Sequence, residues 1–310
     1  MRVLVTGATG LLGTDLCRLL AGRHEVVGWA RGITHKTQIG HWVTRTVDVT
    51  QKSAVETALR HIRPSVVVHA AGMTDVDGCE REPEAAWEAN VEASGLVAAA
   101  CAAAEASLVA VSTDYVFDGE AGRPYREEDA PRPVSHYGRT KLEGERRVLE
   151  ACPRTVVVRV SGLFGSARAN FVSSAVERLQ AGQKVPVVTD QVNSPSYAAD
   201  LARGIGRLLD RLEREPAAAG PQGPLHGPLH LANAGGATRF EVAQVLADWV
   251  GASRDLLEKT TWAALNRPAR RPPRSELNCG RFARLMGEEL RPWREAVLDF
   301  VETELKVCHG

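Results

Sequence analysis

The sequence predicts an α/β protein: a doubly wound parallel sheet followed by a smaller, mostly helical C-terminal region. Three observations carry this. Short β-branched runs alternate with helix-length segments over the first half, and parallel strands need crossovers of that kind to connect them. Gly7, Gly10 and Gly13 come directly after the first such run and open the first helix, where an open parallel sheet places a phosphate-binding turn. Near residue 160 the alternation gives way to helices. The first half therefore reads as Rossmann-type.

Taken in order, Val3-Leu4-Val5 is the first strand, Leu11 to Ala21 the first helix, and Glu25-Val26-Val27 the second strand. Thr46-Val47, Ser65 to His69, Ser107 to Val111 and Thr155 to Val160 continue the strand series. Strands covered on both faces read as continuous apolar runs, as these do. Between them Ser53 to Ile62, Pro83 to Ala104 and Ser135 to Ala151 are helical. Further on, Phe171 to Ala181 and Tyr197 to Leu212 read as helices and Leu229-His230-Leu231 as a strand returning to the sheet. Helices follow near Arg239 to Trp249, Arg281 to Met286 and Glu295 to Leu305. Pro216 to Pro228, rich in Pro, Gly and Ala, reads as a surface loop. Asn266 to Arg274 reads either as an exposed loop or as four arginines facing a phosphorylated ligand. The expected division is a dinucleotide-binding domain over 1–160, with returning segments near 193–214 and 228–234. A substrate-binding domain is then expected over 161–192 and 235–310.

Composition excludes several functions. Lys+Arg and Asp+Glu both total 38, so no global field recruits nucleic acid or an anionic membrane, and any anionic ligand must be held by local groups. Cys17, Cys79, Cys101, Cys152, Cys279 and Cys308 show neither a CxxC nor zinc-ligand spacing, which points to free thiols in a reducing compartment. The apolar run at the N-terminus stops at Thr6-Gly7, too short for a signal peptide, and Leu96 to Ala104 is too short to cross a bilayer. A cytoplasmic location is expected.

Each glycine of the turn has a chemical reason. Gly7 permits the tight turn, Gly10 lets the backbone approach a pyrophosphate, and Gly13 lets helix and strand pack closely. The helix N-terminus offers free N–H groups and the positive end of its dipole to phosphate. Sites that prefer NAD carry an acid at the end of the second strand; here that strand ends in Trp29-Ala30-Arg31, and Arg31 suits a 2′-phosphate. NADPH is thus favoured over NADH, with NADH left open. Asp48 stands either near the adenine or as a helix N-cap before Thr50-Gln51-Lys52.

Tyr137 and Lys141, four residues apart, share one face of the helix beginning near Ser135. A phenol keeps its proton to about pH 10, and a neighbouring ammonium is expected to lower that value and make the pair an acid–base. Ser112 and Thr113 end the Ser107 strand at the C-terminal sheet edge, where open α/β folds bind ligands, and Thr113 could donate to a substrate carbonyl.

These residues together resemble the extended short-chain dehydrogenase/reductase superfamily and, within it, the dTDP-4-dehydrorhamnose reductase family. The resemblance runs over nearly the whole chain: Gly7 to Gly13, His69 to Asp77 with Cys79-Glu80, Asn90, Ser112 to Gly119, Tyr125-Arg126-Glu127 and Tyr137 to Lys141. It continues through Asn170-Phe171-Val172, Asp190-Gln191 with Ser194-Pro195, Arg271-Pro272 with Ser275, and Pro292-Trp293. The resemblance implies NAD(P)H-dependent reduction of the 4-keto group of a nucleotide-linked 6-deoxy sugar, with dTDP-4-dehydro-L-rhamnose the expected substrate. It implies that Gly10, Leu11 and Leu12 contact the pyrophosphate, that Asp48 and Val49 flank the adenine, and that Ala71, Gly72, Met73 and Thr74 line the nicotinamide side. Tyr137 would be the proton donor, Lys141 its partner, and Thr113 and Asp114 would touch the sugar; Asn170 and Arg271 are candidate diphosphate contacts, Asn170 alternatively a helix cap. A reductase of another nucleotide-linked keto-sugar, or a non-catalytic NADP-binding regulatory subunit of the same fold, stays open. Some members of the family use a divalent ion, for which no ligand cluster is visible in the sequence; a homodimer is likewise left open. One departure stands out: Gly162 occupies the position where members often carry a Trp packed on the sugar.

Overall fold

The computed structural model describes residues 1–31, 37–39 and 42–307. The first half supplies strands β1 (Arg2–Thr6), β2 (Glu25–Ala30), β3 (Thr37–Ile39), β4 (Trp42–Thr46), β5 (Val66–His69), β6 (Ser107–Thr113) and β7 (Thr155–Val160). After them come short strands β8 (Leu163–Phe164), β9 (Val185–Val188), β10 (Val192–Asn193) and β11 (Ser196–Tyr197), then β12 (Gly227–His230), β13 (Ala237–Thr238) and β14 (Leu257–Thr260). The main sheet has the order β12-β7-β6-β5-β1-β2-β4-β3. Its strands are parallel except β3, which lies antiparallel on β4 at the edge. From β1 the chain builds outward through β2 and β4, then returns to place β5 on the other side of β1. The crevice beyond β1 and β5 is therefore the place where this topology binds ligands.

The period of two in each strand assigns its faces. Val3, Val5, Val66, Val68, Val156 and Val158 point into one apolar layer, shared with Leu12 and Leu16 of α1 (Leu11–Leu20) and with Leu201, Ile205 and Leu208 of α8 (Ala198–Arg214). Leu4, Val67, Leu108 and Val157 point into the opposite layer. That layer is closed by α2 (Lys52–Ile62), α5 (Ala93–Ala103) and α6 (His136–Ala151). The short helices α3 (Val76–Arg81) and α4 (Pro83–Trp87) precede α5, and α7 (Phe171–Gln180) and α8 (Ala198–Arg214) follow β7. A third core gathers Val172, Val176, Val187, Val242, Leu246, Val297 and Phe300 from α7, β9, α9 (Arg239–Trp249) and α11 (Trp293–Thr303). Helix α10 (Gly280–Met286) instead sends Phe282 to the first layer. Two of these helices begin with reciprocal capping boxes, Asn170 with Ser173 on α7 and Thr238 with Glu241 on α9.

Several boundaries differ from the sequence reading. The strand expected at Thr46-Val47 runs Trp42–Thr46, because Val43 pairs with Val27 and Thr46 with Ala30. The single helix expected over Pro83 to Ala104 is interrupted by a π-helical stretch, Glu88–Glu92, that turns Asn90 inward. Helix α3 was not foreseen; six residues are too few to show a helical period. The Pro216 to Pro228 segment is more than a surface loop, since Ala218, Ala219 and Leu225 are buried in the first core. Cys17, Cys79, Cys101, Cys152 and Cys279 are free and buried, and Cys308 lies outside the described residues. No helix among the described residues is long and apolar enough to cross a membrane.

Burial also sets the response to acid. His69 sits between the Thr6 and Ser94 hydroxyls, and His230 against the Tyr125 carbonyl; burial pushes both imidazoles down to about 3. In the unfolded chain the same groups titrate near 6.5. Below pH 6.5 the unfolded state therefore takes up protons that the native state refuses, and stability falls with pH. Burial raises Asp114 to about 6, which acts with the opposite sign and offsets part of this. Chemical denaturation between pH 6 and pH 4 is expected to show a loss of roughly 1–3 kcal/mol per pH unit. A flat profile would mean that these histidines are not held neutral.

Candidate active site

A cleft of about 710 Å³ lies along the C-terminal ends of β1, β5 and β6 and continues past β7 toward α7 and α9. At its floor the turn after β1 is glycine by necessity. Gly7 has φ +69°, and a Cβ there would meet the Ala70 carbonyl group at 2.9 Å, while a Cβ on Gly13 would fall 2.0 Å from the Gly7 carbonyl oxygen. The strand end, the neighbouring β5 loop and the first turn of α1 thus pack backbone to backbone and leave a bare cradle lined by Gly7, Gly10, Leu11, Leu12 and Gly13. The fit to a dinucleotide pyrophosphate rests on this cradle and on the N-terminus of α1 that opens from it. Arg31, exposed just past β2, and Val49 also line the cleft.

On the nicotinamide side expected from the sequence, Ala71, Gly72 and Thr74 line the cleft. Their loop is fixed from behind by the π-helical Asn90, which accepts the Met73 N–H at 2.8 Å and donates to the Met73 carbonyl at 3.1 Å. The same carboxamide donates to Thr140 of α6 at 3.1 Å, tying this loop to the helix that carries Tyr137 and Lys141. At its start, Ser135 caps that helix by accepting the Gly138 N–H.

Tyr137, Lys141 and Thr113 line one stretch of the cleft. The Tyr137 ring meets Tyr115 edge-on at 5.9 Å, and Gln191 donates to the Tyr115 hydroxyl at 3.0 Å. Lys141 donates from Nζ to the Val111 carbonyl at 2.8 Å. Behind it lies a buried ion pair, Glu145 with Arg159, and Ser112 donates to Glu145 at 2.5 Å. Burial brings Lys141 down to about 8 against the pull of Glu145. Burial also raises the Tyr137 phenol above its ordinary value, with the Thr113 hydroxyl working the other way. This corrects the expectation that Lys141 renders the phenol acidic: desolvation dominates, so Tyr137 holds its proton firmly at neutral pH.

Other sequence-predicted positions are placed differently. Asp48 turns its carboxylate onto the Thr50 N–H and hydroxyl, at 3.0 and 2.9 Å; it neither lines the cleft nor caps α2, whose N-cap is Gln51. Met73 is held in the loop and does not line the cleft. Asp114 lies at the cleft wall but is 2% exposed, with both oxygens engaged by hydroxyls, so its carboxylate is not offered to a sugar. Asn170 lines the cleft, yet its oxygen caps α7 and its amide donates to the Gly165 and Arg168 carbonyls, which leaves nothing for a diphosphate. Arg271 is out of the cleft: it pairs with Asp77 at 2.5 Å and stacks on Trp262 at 4.6 Å. Gly162 adopts φ +54°, and a Cβ there would lie 2.8 Å from the Ser194 carbonyl oxygen, so this backbone admits no tryptophan.

Sequence reasoning missed two cations. Arg239 and Arg168 both line the cleft on the C-terminal side. Arg239 rests on Phe171 at 5.1 Å, and the charged groups that bear on it are the cations Arg271 and Arg267 and the Tyr115 phenol rather than a carboxylate. No motif marks an arginine at a helix start as a ligand group; only the fold turns it toward the cleft. Among the described residues, the one group of His and acidic side chains close enough to share an ion is His24, Asp210 and Glu213. None of these three lines the cleft, and Asp210 and Glu213 already face Arg23 and the Met1 amine.

Comparison with known proteins agrees with this architecture. A family model described as RmlD substrate binding domain matches residues 1–306. A dTDP-4-dehydrorhamnose reductase of Streptomyces griseus is 41% identical over 96% of this chain and 92% of its own length. A probable dTDP-4,6-dihydroxy-2-methyloxan-3-one 4-ketoreductase of Streptomyces antibioticus is 40% identical over 96% and 93%. The crystal structure of a Bacillus anthracis dTDP-4-dehydrorhamnose reductase in complex with NADP superposes with a TM-score of 0.84 at 29% identity, covering 97% of this chain and 99% of that one.

Proposed function

This chain belongs to the RmlD family, the family of the dTDP-4-dehydrorhamnose reductases, and from that premise we propose that it reduces the 4-keto group of a nucleotide-linked 6-deoxy sugar with NADPH. The observation that carries the reading is a single cleft holding both the glycine cradle and the Thr113, Tyr137, Lys141 group. A purely nucleotide-holding scaffold has no chemical need for the second group. The substrate we assign is dTDP-4-dehydro-L-rhamnose, giving dTDP-L-rhamnose; the similarity to the Streptomyces antibioticus ketoreductase favours a second reading, a related dTDP-linked keto-sugar. We assign residues 1–160, with 193–214 and 228–234, to the cofactor, and 161–192 with 235–310 to the sugar nucleotide.

In this mechanism Gly7, Gly10, Leu11, Leu12 and Gly13 hold the pyrophosphate, Arg31 the 2′-phosphate, and Val49 the adenine side. Ala71, Gly72 and Thr74 bound the nicotinamide. When bound, the reduced nicotinamide supplies a hydride. Tyr137 donates its hydroxyl proton to the carbonyl oxygen as negative charge develops there, and its raised pKa keeps that proton available at neutral pH. The Lys141 ammonium stands one helical turn on, anchored by Val111, where it can offset the charge left on the phenolate. Arg239 and Arg168 take over the diphosphate role expected of Asn170 and Arg271.

The direct test mixes the protein with NADPH and dTDP-4-dehydro-L-rhamnose and follows loss of reduced-nicotinamide absorbance. Tight NADPH binding without turnover on any keto-sugar would replace the reductase reading with a regulatory one. Two arginines then separate the two ligands. Arg31→Ala is expected to raise KM for NADPH by about tenfold or more and to leave KM for NADH unchanged. Arg239→Ala is expected to raise KM for the sugar nucleotide by a similar factor with NADPH binding intact. Steady-state kinetics with each ligand varied in turn checks both, and a uniform loss in both KM values would remove the assignments.

A further inference from the structure

Asn193, at the end of β10, carries a carboxamide that the fold leaves unused. The residue is half-buried and lines the cleft, and among the described residues its side chain makes no hydrogen bond. The other asparagine of the cleft, Asn170, spends both ends of its amide on the start of α7 and the loop before it. Backbone pairing fixes where Asn193 stands. Thr113 at the end of β6 pairs with Val160 of β7, and two residues on the chain reaches Gly162. A Cβ on Gly162 would lie 3.0 Å from Asn193 Oδ1, so the bare glycine leaves the carboxamide its room. On its other side Asn193 pairs with Ala237 of β13, and Thr238 then leads into Arg239 of α9. Gly162, Asn193, Thr238 and Arg239 all line the cleft. The free amide therefore lies between the Thr113, Tyr137, Lys141 group and the Arg239 guanidinium.

A nucleotide-linked 4-keto sugar spans the same interval, with the diphosphate on C1 and the carbonyl at C4. Between those two points the ring has two edges. One is C2–C3, which carries hydroxyls; the other is the ring oxygen with C5 and its methyl group. A carboxamide offers an acceptor and two donors side by side, whichever way the amide is turned. The C5 edge has no proton for that acceptor, whereas hydroxyls on adjacent carbons can give one bond and take the other. Resting on the reading of this chain as a keto-sugar reductase with Arg239 at the diphosphate, we propose that Asn193 sets substrate specificity by hydrogen-bonding the C2 and C3 hydroxyls together. The site then selects a vicinal diol over a 2-deoxy ring. Gly162 belongs to the same device, because any side chain there would displace the amide.

The test is a ratio of kcat/KM values, measured with saturating NADPH on dTDP-4-dehydro-L-rhamnose and on the same compound lacking the C2 hydroxyl. Wild type is expected to favour the diol by at least about tenfold, since the 2-deoxy ring leaves part of the amide unpaired. Asn193→Ala should lower kcat/KM on the diol, chiefly through KM, and bring the ratio to near one with NADPH affinity unchanged. NADPH binding reports whether the variant is folded; if it does not bind, the wild-type ratio decides alone. A wild-type ratio near one overturns the inference. So does an Asn193→Ala variant that loses equally on both ketones, or on neither, and keeps the wild-type ratio. Each of those results leaves the reductase in place. An enzyme that binds NADPH and turns over neither ketone removes the reductase reading and the inference with it.

Discussion

Tyr137→Phe is expected to slow ketone reduction by two to four orders of magnitude while NADPH binding stays intact. The substitution removes one oxygen and keeps the ring, so the edge-on contact with Tyr115 at 5.9 Å and the packing against Cys79 and Ala86 persist. What goes is the proton that must reach the carbonyl oxygen as the hydride arrives. No neighbour replaces it: the Thr113 proton is committed to Asp114, and Lys141 is anchored on the Val111 carbonyl. Single-turnover measurement with saturating NADPH separates the chemical step from binding. A rate unchanged by the loss of the phenol would remove Tyr137 from the mechanism, and the cleft would then be only a nucleotide site.

How much of this was legible in the sequence depends on the range of the interaction involved. The glycine turn was readable because its constraint is local: a left-handed residue after a strand and a close approach one helical turn later allow little but glycine at Gly7 and Gly13. Tyr137 and Lys141 were readable because helical spacing fixes their common face. Both faces of the sheet followed from apolar runs that burial on two sides demands. The errors lie where a side chain's partner is far away in the chain. Arg271 reads as an unpaired cation until the fold brings Asp77 to it across 194 residues, and Asp114 reads as a free acid until Ser161 and Ser275 arrive. Arg239 is the converse, an unremarked helix-start residue that the fold turns toward the cleft. Asn90 needed the π-helical stretch, whose local register no periodicity foretells. The raised pKa of Tyr137 has a related cause: helical spacing puts an ammonium on the same face, but burial, which spacing does not reveal, is what governs the phenol.

The ion pair behind Lys141 shows the same dependence on distance in its energetics. Arg159 of β7 meets Glu145 of α6 through two parallel bonds, at 2.9 and 2.7 Å, with both side chains 5% exposed or less. The Arg159 guanidinium also lies over the Phe117 ring at 5.2 Å. Arg159→Leu would leave Glu145 buried with Ser112, among the described residues, as its remaining hydrogen-bond donor. Such an uncompensated carboxylate is expected to cost roughly 3–5 kcal/mol of unfolding free energy, read from denaturant titration. Replacing both partners, Arg159→Leu with Glu145→Leu, removes the charge as well as its partner and should recover most of that loss. Recovery of stability is not expected to restore function fully. Glu145 stands one turn beyond Lys141 and opposes the burial that brings the ammonium down to about 8. Without that carboxylate the ammonium should give up its proton at lower pH, and the alkaline fall in reduction rate should move toward neutrality. A double variant as unstable as the single one would show that packing against Phe117, rather than the buried charge, carries the stability. A pH profile that stays in place would show that Glu145 does not tune Lys141.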